Sequence, residues 1–550
     1  MRWLVYLLLL LPVHSIAQVE SYERLGTFER RDVDRVLEKM KLTVTEPKDK
    51  RIGTIHIVSL EVFSEDDGFL EWFNLFHRTT RDEIIRRELL IEPGQRWDQA
   101  LVDETLRKIR NPFLSNVVVI LPIQSPDATI VDVLVVTRDV WSLRLNTNFQ
   151  VHDGVLRLLN TSISENNFLG WRKTASLQFN MDQGVYWAGP YYSDPNLFGS
   201  RLQLQTQVST IHNRKTNAFE GTSSNVVLSK PLWSLASIWA WSIRFQHGDY
   251  IERRFLGNSV GLEYDYQRYA AQVGGSATLG ERVKHSVGLS YRFSDKVTQF
   301  RSASSDTYKP PPSYRDSAFV LGYSLYTPKY VEVRDIDSFD FREDYRVGPT
   351  VSVSLSQGLP TLGADEQYNG VDVSASWLFS LPHESILKVA SWWYGRFLEA
   401  DFVDHSAGAS FYLATPRLGR FARFVARVNA WRRFRNGSES LPYSLGGENG
   451  LRGYAIGEFQ GETVLLTQVE MRTMPLHMGF LRAGAVLFWD MGHASTDWEG
   501  IEPHHDVGVG LRLLIPQANP YVLRADWAFA TNGRAVGWPG RLSFGFQQVF

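Results

Sequence analysis

A transmembrane β-barrel over residues 143–550, preceded by one small α+β domain, is the fold this sequence predicts, on three observations. From Leu143 to the last residue, segments alternate apolar and polar side chains with period two and are joined by polar, turn-rich connections. Aromatic residues make up 13% of the chain and glycine contributes 42 positions, yet no apolar run beyond the first residues is long enough for a helical span. Residues 50–142 instead mix strand and helix patterns. A barrel reconciles these features, because an apolar lipid face and a polar lumen cancel in the average hydropathy.

The elements follow in chain order. "MRWLVYLLLLLPVHSIAQ" has a positive Arg2, an apolar stretch Trp3–Val13 and a small-x-small site at Ser15–Ala17. It reads as a secretory signal peptide over residues 1–17, cleaved after Ala17. Residues 18–49 read as an N-terminal extension with one helix in Arg30–Met40. In the small domain, Ile52–Phe63 is β-like, and Thr80–Leu89 and Asp98–Asn111 carry apolar residues at helical spacing. Two strands, "NVVVILPIQ" and "TIVDVLVVTRDVWSL", complete a β-α-α-β-β order. Between the first strand and the first helix, Asp67–Arg81 holds Phe69, Leu70, Trp72, Phe73, Leu75 and Phe76. These either pack locally under a long loop or form an aromatic surface for a partner or a membrane leaflet.

Within the barrel, Leu481–Gly492 alternates cleanly. Leu481, Ala483, Ala485, Leu487, Trp489 and Met491 form an apolar set, which sends Asp490 into the lumen. The same logic puts Gln468, Glu470 and Arg472 on the lumen side of the preceding strand. Between them and the strand before lies "SLGGENGLRGYAIGEFQG", six glycines around a single cation, Arg452. Glycine lets main chain thread a crowded space, so the loop is expected to fold inward and pair Arg452 with Asp490, with Glu470 nearby. The last strand, "RLSFGFQQVF", sets Leu542, Phe544, Phe546 and Phe550 on one face.

These residues carry a resemblance. "GGENGLRGY" is similar to the signature loop of the BamA, TamA and two-partner-secretion superfamily, and "FWDMG" (Phe488-x-Asp490-x-Gly492) to the strand motif that receives it. The family's Arg-Gly-aromatic tip carries over to Arg452, Gly453 and Tyr454, with Leu451 where valine is usual. "ENNFLGW" and "YSDPNLFGSR" look like early barrel segments of the superfamily, and residues 50–142 resemble a POTRA module. The terminal Phe544, Phe546 and Phe550 resemble the signal by which such barrels are recognised for insertion. The resemblance implies sixteen strands, where the spacing alone allows fourteen or eighteen. It also implies a place in the outer membrane of a Gram-negative bacterium, with the N-terminal domain in the periplasm. The implied activity is insertion or translocation of proteins without covalent chemistry: the POTRA-like domain receives client proteins, and accessory envelope proteins are further possible partners. A dedicated export pore of the two-partner-secretion type is the alternative; a passive porin explains neither the N-terminal domain nor the arginine loop.

Other chemistry finds little footing. There are no cysteines, so thiolate metal sites and thiol nucleophiles are excluded. "GNSVG" (Gly257–Gly261) matches a nucleophile elbow in letters only, since it runs into an alternating strand rather than a helix. A lipid hydrolase would need a Ser-His arrangement that the strands do not offer. "HHD" (His504–Asp506) reads as a loop edge, because adjacent strand residues face opposite sides. A formal net charge of −2 gives no sign of a nucleic-acid partner. The sequence is therefore read as a non-enzyme without metal or cofactor.

Overall fold

The computed structural model describes residue 22 and residues 25–550 apart from 112–113, 153–154, 257–258, 305–308, 340, 400, 439–441, 448–449, 456, 520 and 533–539. The signal-peptide expectation for residues 1–17 lies outside them. Among the described residues no helix is long and apolar enough to cross a membrane. The chain divides into two units: residues up to Glu61 with Thr79–Asp139, and Val62–Arg78 with Val140–Phe550.

In the first unit, helix α1 (Thr27–Met40) precedes strand β1 (Arg51–Leu60), helices α2 (Asp82–Glu88) and α3 (Gln99–Ile109), and strands β2 (Ser115–Gln124) and β3 (Ile130–Asp139). The sheet order is β1-β3-β2, with β1 parallel and β2 antiparallel to β3. Helices α2 and α3 cover one face, where Ile85, Val102, Leu106 and Ile109 meet Ile52, Val118, Ile120 and Val133. Helix α1 covers the other, packing Val33 and Val36 on Val117, Val119, Leu121 and Leu134. Strand β2 is accordingly buried on both faces along nearly its whole length. Residues from Leu25 onward pack with this unit, because its second face is apolar and is covered by α1, and Val62–Arg78 groups with the other unit.

The second unit is a closed antiparallel barrel. Twenty-two strand segments run around it; Tyr314–Tyr326 continues into Lys329–Arg334, and Thr463–Thr473 into Leu476–Met478, each pair facing one neighbouring strand. Among the described residues the barrel therefore has twenty strands, an even number, and the expected sixteen is corrected. Most connections span only two to ten residues, so the chain holds more strands than about 25 residues apiece allow. The ring closes where Arg541–Phe546 meets Leu143–His152. Wall height is uneven: the strands beside this seam have six to eleven residues, while Trp239–Leu256, Ser259–Leu279 and Lys284–Ala303 have 18 to 21.

Alternation sets the two faces. Val273, Val287, Leu289, Leu321 and Leu355 point outward and are exposed, as are Leu487, Val507, Val509, Leu511 and Leu523 on the wall that carries Asp490. Inward positions on that wall are charged, and Arg472, Asp490, Asp506, Arg512 and Asp526 are buried. An apolar outer belt around a polar interior is the pattern of a barrel that spans lipid. On the opposite side the lumen is lined by Ser242, Ser276, Gly288, Ser324 and Ser354 and holds a cavity of 680 Å³.

One ion pair tests the place of α1. Asp32 on α1 lies 3.2 Å from Arg138 at the end of β3, their side chains 0% and 3% exposed. Removing one member of a buried pair costs about 3–5 kcal/mol. Asp32→Ala should speed amide hydrogen exchange in β2 and β3 of the whole protein and leave barrel strands protected; unchanged exchange in β2 would mean α1 is not part of the core.

Candidate functional site: an arginine lid in the barrel lumen

The glycine-rich connection leaves the wall after the strand Ala422–Asn436 and forms its own small ladder, Tyr443–Leu445 paired with Phe459–Gly461. Its tip descends into the lumen. Leu445, Leu451 and Tyr454 pack with Val464, Leu466 and Ala530 in a buried apolar cluster. The Gly447 amide donates to the Leu451 and Tyr454 carbonyls, which closes the tip into a tight turn.

Arg452 is 3% exposed, and its guanidinium uses its donors in three directions. Nε and Nη2 donate to the two oxygens of Asp490 at 2.7 and 2.8 Å, a bidentate pair. Nη1 donates to Glu470 at 2.7 Å and to Asp526 at 3.4 Å. The guanidinium carbon also stands 3.5 Å from the ring centroid of Phe488, a cation–π contact in a desolvated place. Gly453 donates its amide to Asp506 at 3.0 Å. The Tyr454 hydroxyl donates to the Asn532 and His505 carbonyls at 2.6 and 3.1 Å.

Two glycines are required by close approach. A Cβ on Gly453 would lie 2.7 Å from the Ala530 nitrogen and 2.7 Å from the Asp506 Cβ. One on Gly492 would meet the Leu451 and Leu445 methyls at 2.9 and 3.0 Å. Gly492 thus receives the leucines of the lid rather than the arginine itself.

The carboxylates form a set. Asp490 and Asp506 stand directly opposite each other on neighbouring strands, an unfavourable like-charge juxtaposition offset by the donors of the loop tip. Arg472 donates to Glu470 at 2.7 Å, Arg512 to Asp526 at 2.5 Å, and Arg524 to Asp526 at 3.0 Å. Arg452, Arg472, Arg512 and Arg524 thus share Glu470, Asp490 and Asp526, and removing Arg452 takes both guanidinium donors from Asp490.

The network continues toward the end where the chain enters and leaves the barrel. The turn after Arg334 folds inward, burying Ile336 and Phe339, and Arg472 donates to the Ile336 carbonyl at 2.8 Å. Arg472 also donates to the Phe550 carbonyl at 2.8 Å, and Arg512 to the Gln548 side chain at 2.9 Å. Phe550 packs with Val333, Ile336, Ile386 and Val425. Phe550 leaves the face that alternation shares among Leu542, Phe544 and Phe546: the last strand stops at Phe546, Gln547 takes a positive φ of 76°, and the tail turns into the lumen. Phe544 is exposed on the outer face as the alternation indicates, and Phe546 is half-buried.

The sequence reading singled out Arg452, Gly453, Tyr454, Phe488, Asp490, Gly492 and Glu470, and the structure brings all seven together. It missed Asp506, Asp526, Asn532 and the inward tail. Asp526 was within reach of alternation, since "LRADWAFA" sets Arg524 and Asp526 on the lumen side. "HHD" stands at the loop edge and opens the strand His504–Leu514; the role missed is that His504 stacks on Phe459 at 3.9 Å and Asp506 holds Gly453.

No family model and no curated protein matches the chain in sequence. Among solved structures it is similar to BamA from Haemophilus ducreyi lacking POTRA domains 1–3, at 12% identity and a TM-score of 0.36, covering 94% of this chain and 93% of that one. It is also similar to CdiB from Acinetobacter baumannii, at 12% identity and a TM-score of 0.37 over 94% and 81% of the two chains. For CdiB from Escherichia coli the values are 13% and 0.42 over 92% and 79%. Likeness at these levels says nothing of what this chain does.

The bidentate pair gives a test with a sign. Arg452→Ala should open the loop, raising protease cleavage within residues 446–462, with a loss of about 3–5 kcal/mol from burying unpaired charge. Asp490→Ala should cost less, since Glu470 still holds the guanidinium. In the Arg452→Ala background, Asp490→Asn should restore part of the closed loop by neutralising the buried carboxylate that has lost its guanidinium donors. Additive losses in this double-mutant cycle would show that the groups do not act as one network.

The tail makes a separate prediction. Phe550→Ala should raise protease access to the same loop while the barrel still forms and stays heat-modifiable. Lower barrel yield with an unchanged loop would return Phe550 to a role in membrane insertion alone.

Proposed function

We propose that this chain is a member of the BamA, TamA and two-partner-secretion superfamily, placed in a bacterial outer membrane, where it inserts proteins into that membrane or passes them across it. The observation that carries the reading is the Arg-Gly-Tyr tip clamped in the lumen by Asp490, Glu470 and Asp506. A passive pore gains nothing from a charged lid held in its lumen. On this reading the N-terminal α+β domain is a periplasmic POTRA-like module, and the chain enters and leaves the barrel on the periplasmic side.

The mechanism is non-covalent. A strand at a weak seam offers unpaired backbone groups to an incoming strand. Here the closing strand has six residues, a length of about 20 Å at the usual rise per residue. That falls short of the roughly 25 Å apolar band of such barrels. The tail beyond it is drawn inward by Arg472 rather than extending the wall. The lid network braces the strands Thr463–Ala530 beside that seam, so the wall stays ordered while the seam opens. A client strand could be received first by strand addition in the periplasm.

The dedicated export pore has one observation of its own. The Ser- and Gly-lined half of the lumen holds the 680 Å³ cavity, room for an extended chain if the lid moves. Depleting the protein from its bacterium and comparing outer-membrane proteomes separates the readings. Loss of many barrel proteins is the expected outcome; loss of one surface protein would select the export pore. An unchanged proteome and secretome would sink both.

A further inference from the structure

We infer that the segment Val62–Arg78 is an interfacial membrane anchor, seated in the lipid leaflet at the end of the barrel where the chain enters. The inference rests on the outer-membrane reading above, which makes that leaflet the periplasmic one. Residues Glu65–Phe76 form a 3₁₀ segment with a kink at Gly68. Phe69, Trp72, Leu75 and Phe76 are 73%, 74%, 73% and 60% exposed. Four large apolar side chains this open within eight residues form a patch, not scattered exposure.

The patch is held, not loose. Asp67 accepts from the Ser64 amide at 2.8 Å and hydroxyl at 3.0 Å, and Asn74 exchanges two hydrogen bonds with the Phe63 backbone. Phe73 meets Trp141 edge-on at 5.4 Å, and Phe69 meets Phe480 edge-on at 6.4 Å. His77 pairs with Ser142 at 3.0 Å, and Asn167 donates to the Arg78 carbonyl at 3.0 Å. Every one of these partners lies at the entry end, at the first strand or in turns between strands.

Continuity identifies the occupant as lipid. Phe480 follows Leu476 and Met478, both exposed, and these pair with Ala483 and Leu481 on the outward face of the next strand. The patch is therefore the lower margin of the belt that faces the acyl chains. Turns at the same end expose Phe168, Leu169 and Phe198, whereas turns facing only water are ordinarily polar. Aromatic and leucine side chains of an interfacial segment bury about 5–10 Å into the headgroup and acyl boundary. Glu65, Asp67 and Glu71 leave the segment without the basic face that would draw it electrostatically, so the attachment is apolar and should resist salt.

The chain has no cysteine, so single spin labels can be placed at Trp72→Cys and Leu75→Cys. The labelled whole protein is reconstituted in phosphatidylcholine vesicles, with oxygen and a nickel chelate on both sides. Labels at Leu487 and Glu92, on the lipid-facing wall and on an exposed turn, serve as references. The oxygen-to-nickel collision ratio at 72 and 75 should exceed that at Glu92 by on the order of tenfold, as for a group below the headgroups. It should hold at high salt. Leu487 in lipid with 72 and 75 in water would overturn the anchor alone; an aqueous Leu487 would overturn the barrel reading and the anchor with it. Protection of 72 and 75 that appears only after an unfolded client is added would assign the surface to protein and overturn the lipid assignment.

Discussion

A guanidinium taken almost wholly out of water is costly unless each of its donors finds a partner, and the burial of Arg452 organises the rest of this barrel. It explains why one wall of the lumen is charged while the opposite wall is lined with serine and glycine. It explains why the loop is rich in glycine, since Gly453 and Gly492 sit where a methyl group would collide with backbone or with the leucines of the loop. The converse also holds. Asp490 and Asp506 face each other across neighbouring strands, an arrangement that needs positive charge between or beside them.

The same charges connect the two ends of the barrel. Arg452 shares Glu470 with Arg472, and Arg472 holds the carbonyls of Ile336 and Phe550. A loop from the far end and a turn and tail from the entry end therefore meet on one carboxylate. Loosening any of these parts changes the partners of the others, which couples lid, turn and tail. The route is short and made of charged hydrogen bonds, which are stronger than neutral ones and geometrically demanding.

Around the entry end a different force is on offer. The outer belt and the aromatic segment Val62–Arg78 are exposed apolar surfaces, and burial of such surface is non-directional and scales with area. The lid is held inside by directional bonds.

By itself the sequence determined what repeats and what alternates. Period two identified the barrel, its lipid face and the inward carboxylates of Glu470 and Asp490, because strand geometry allows only one assignment once one face is wholly apolar. The concentration of glycine around one arginine located the lid. That the strands "VVVILPI" and "VLVV" are covered on both faces emerged only when α1 packed on the second one. Strand number depended on short strands and interrupted ones, whose lengths are set by pairing rather than by local pattern. Asp506 and Asp526 joined the site through register between neighbouring strands. Phe550 kept the outward parity of its strand until Gln547, where one residue of positive φ reversed it. Alternation constrains a side chain only while the chain stays in the ladder, and the lid, the inward turn, the tail and the aromatic segment all lie outside it, placed by contacts between residues far apart in sequence.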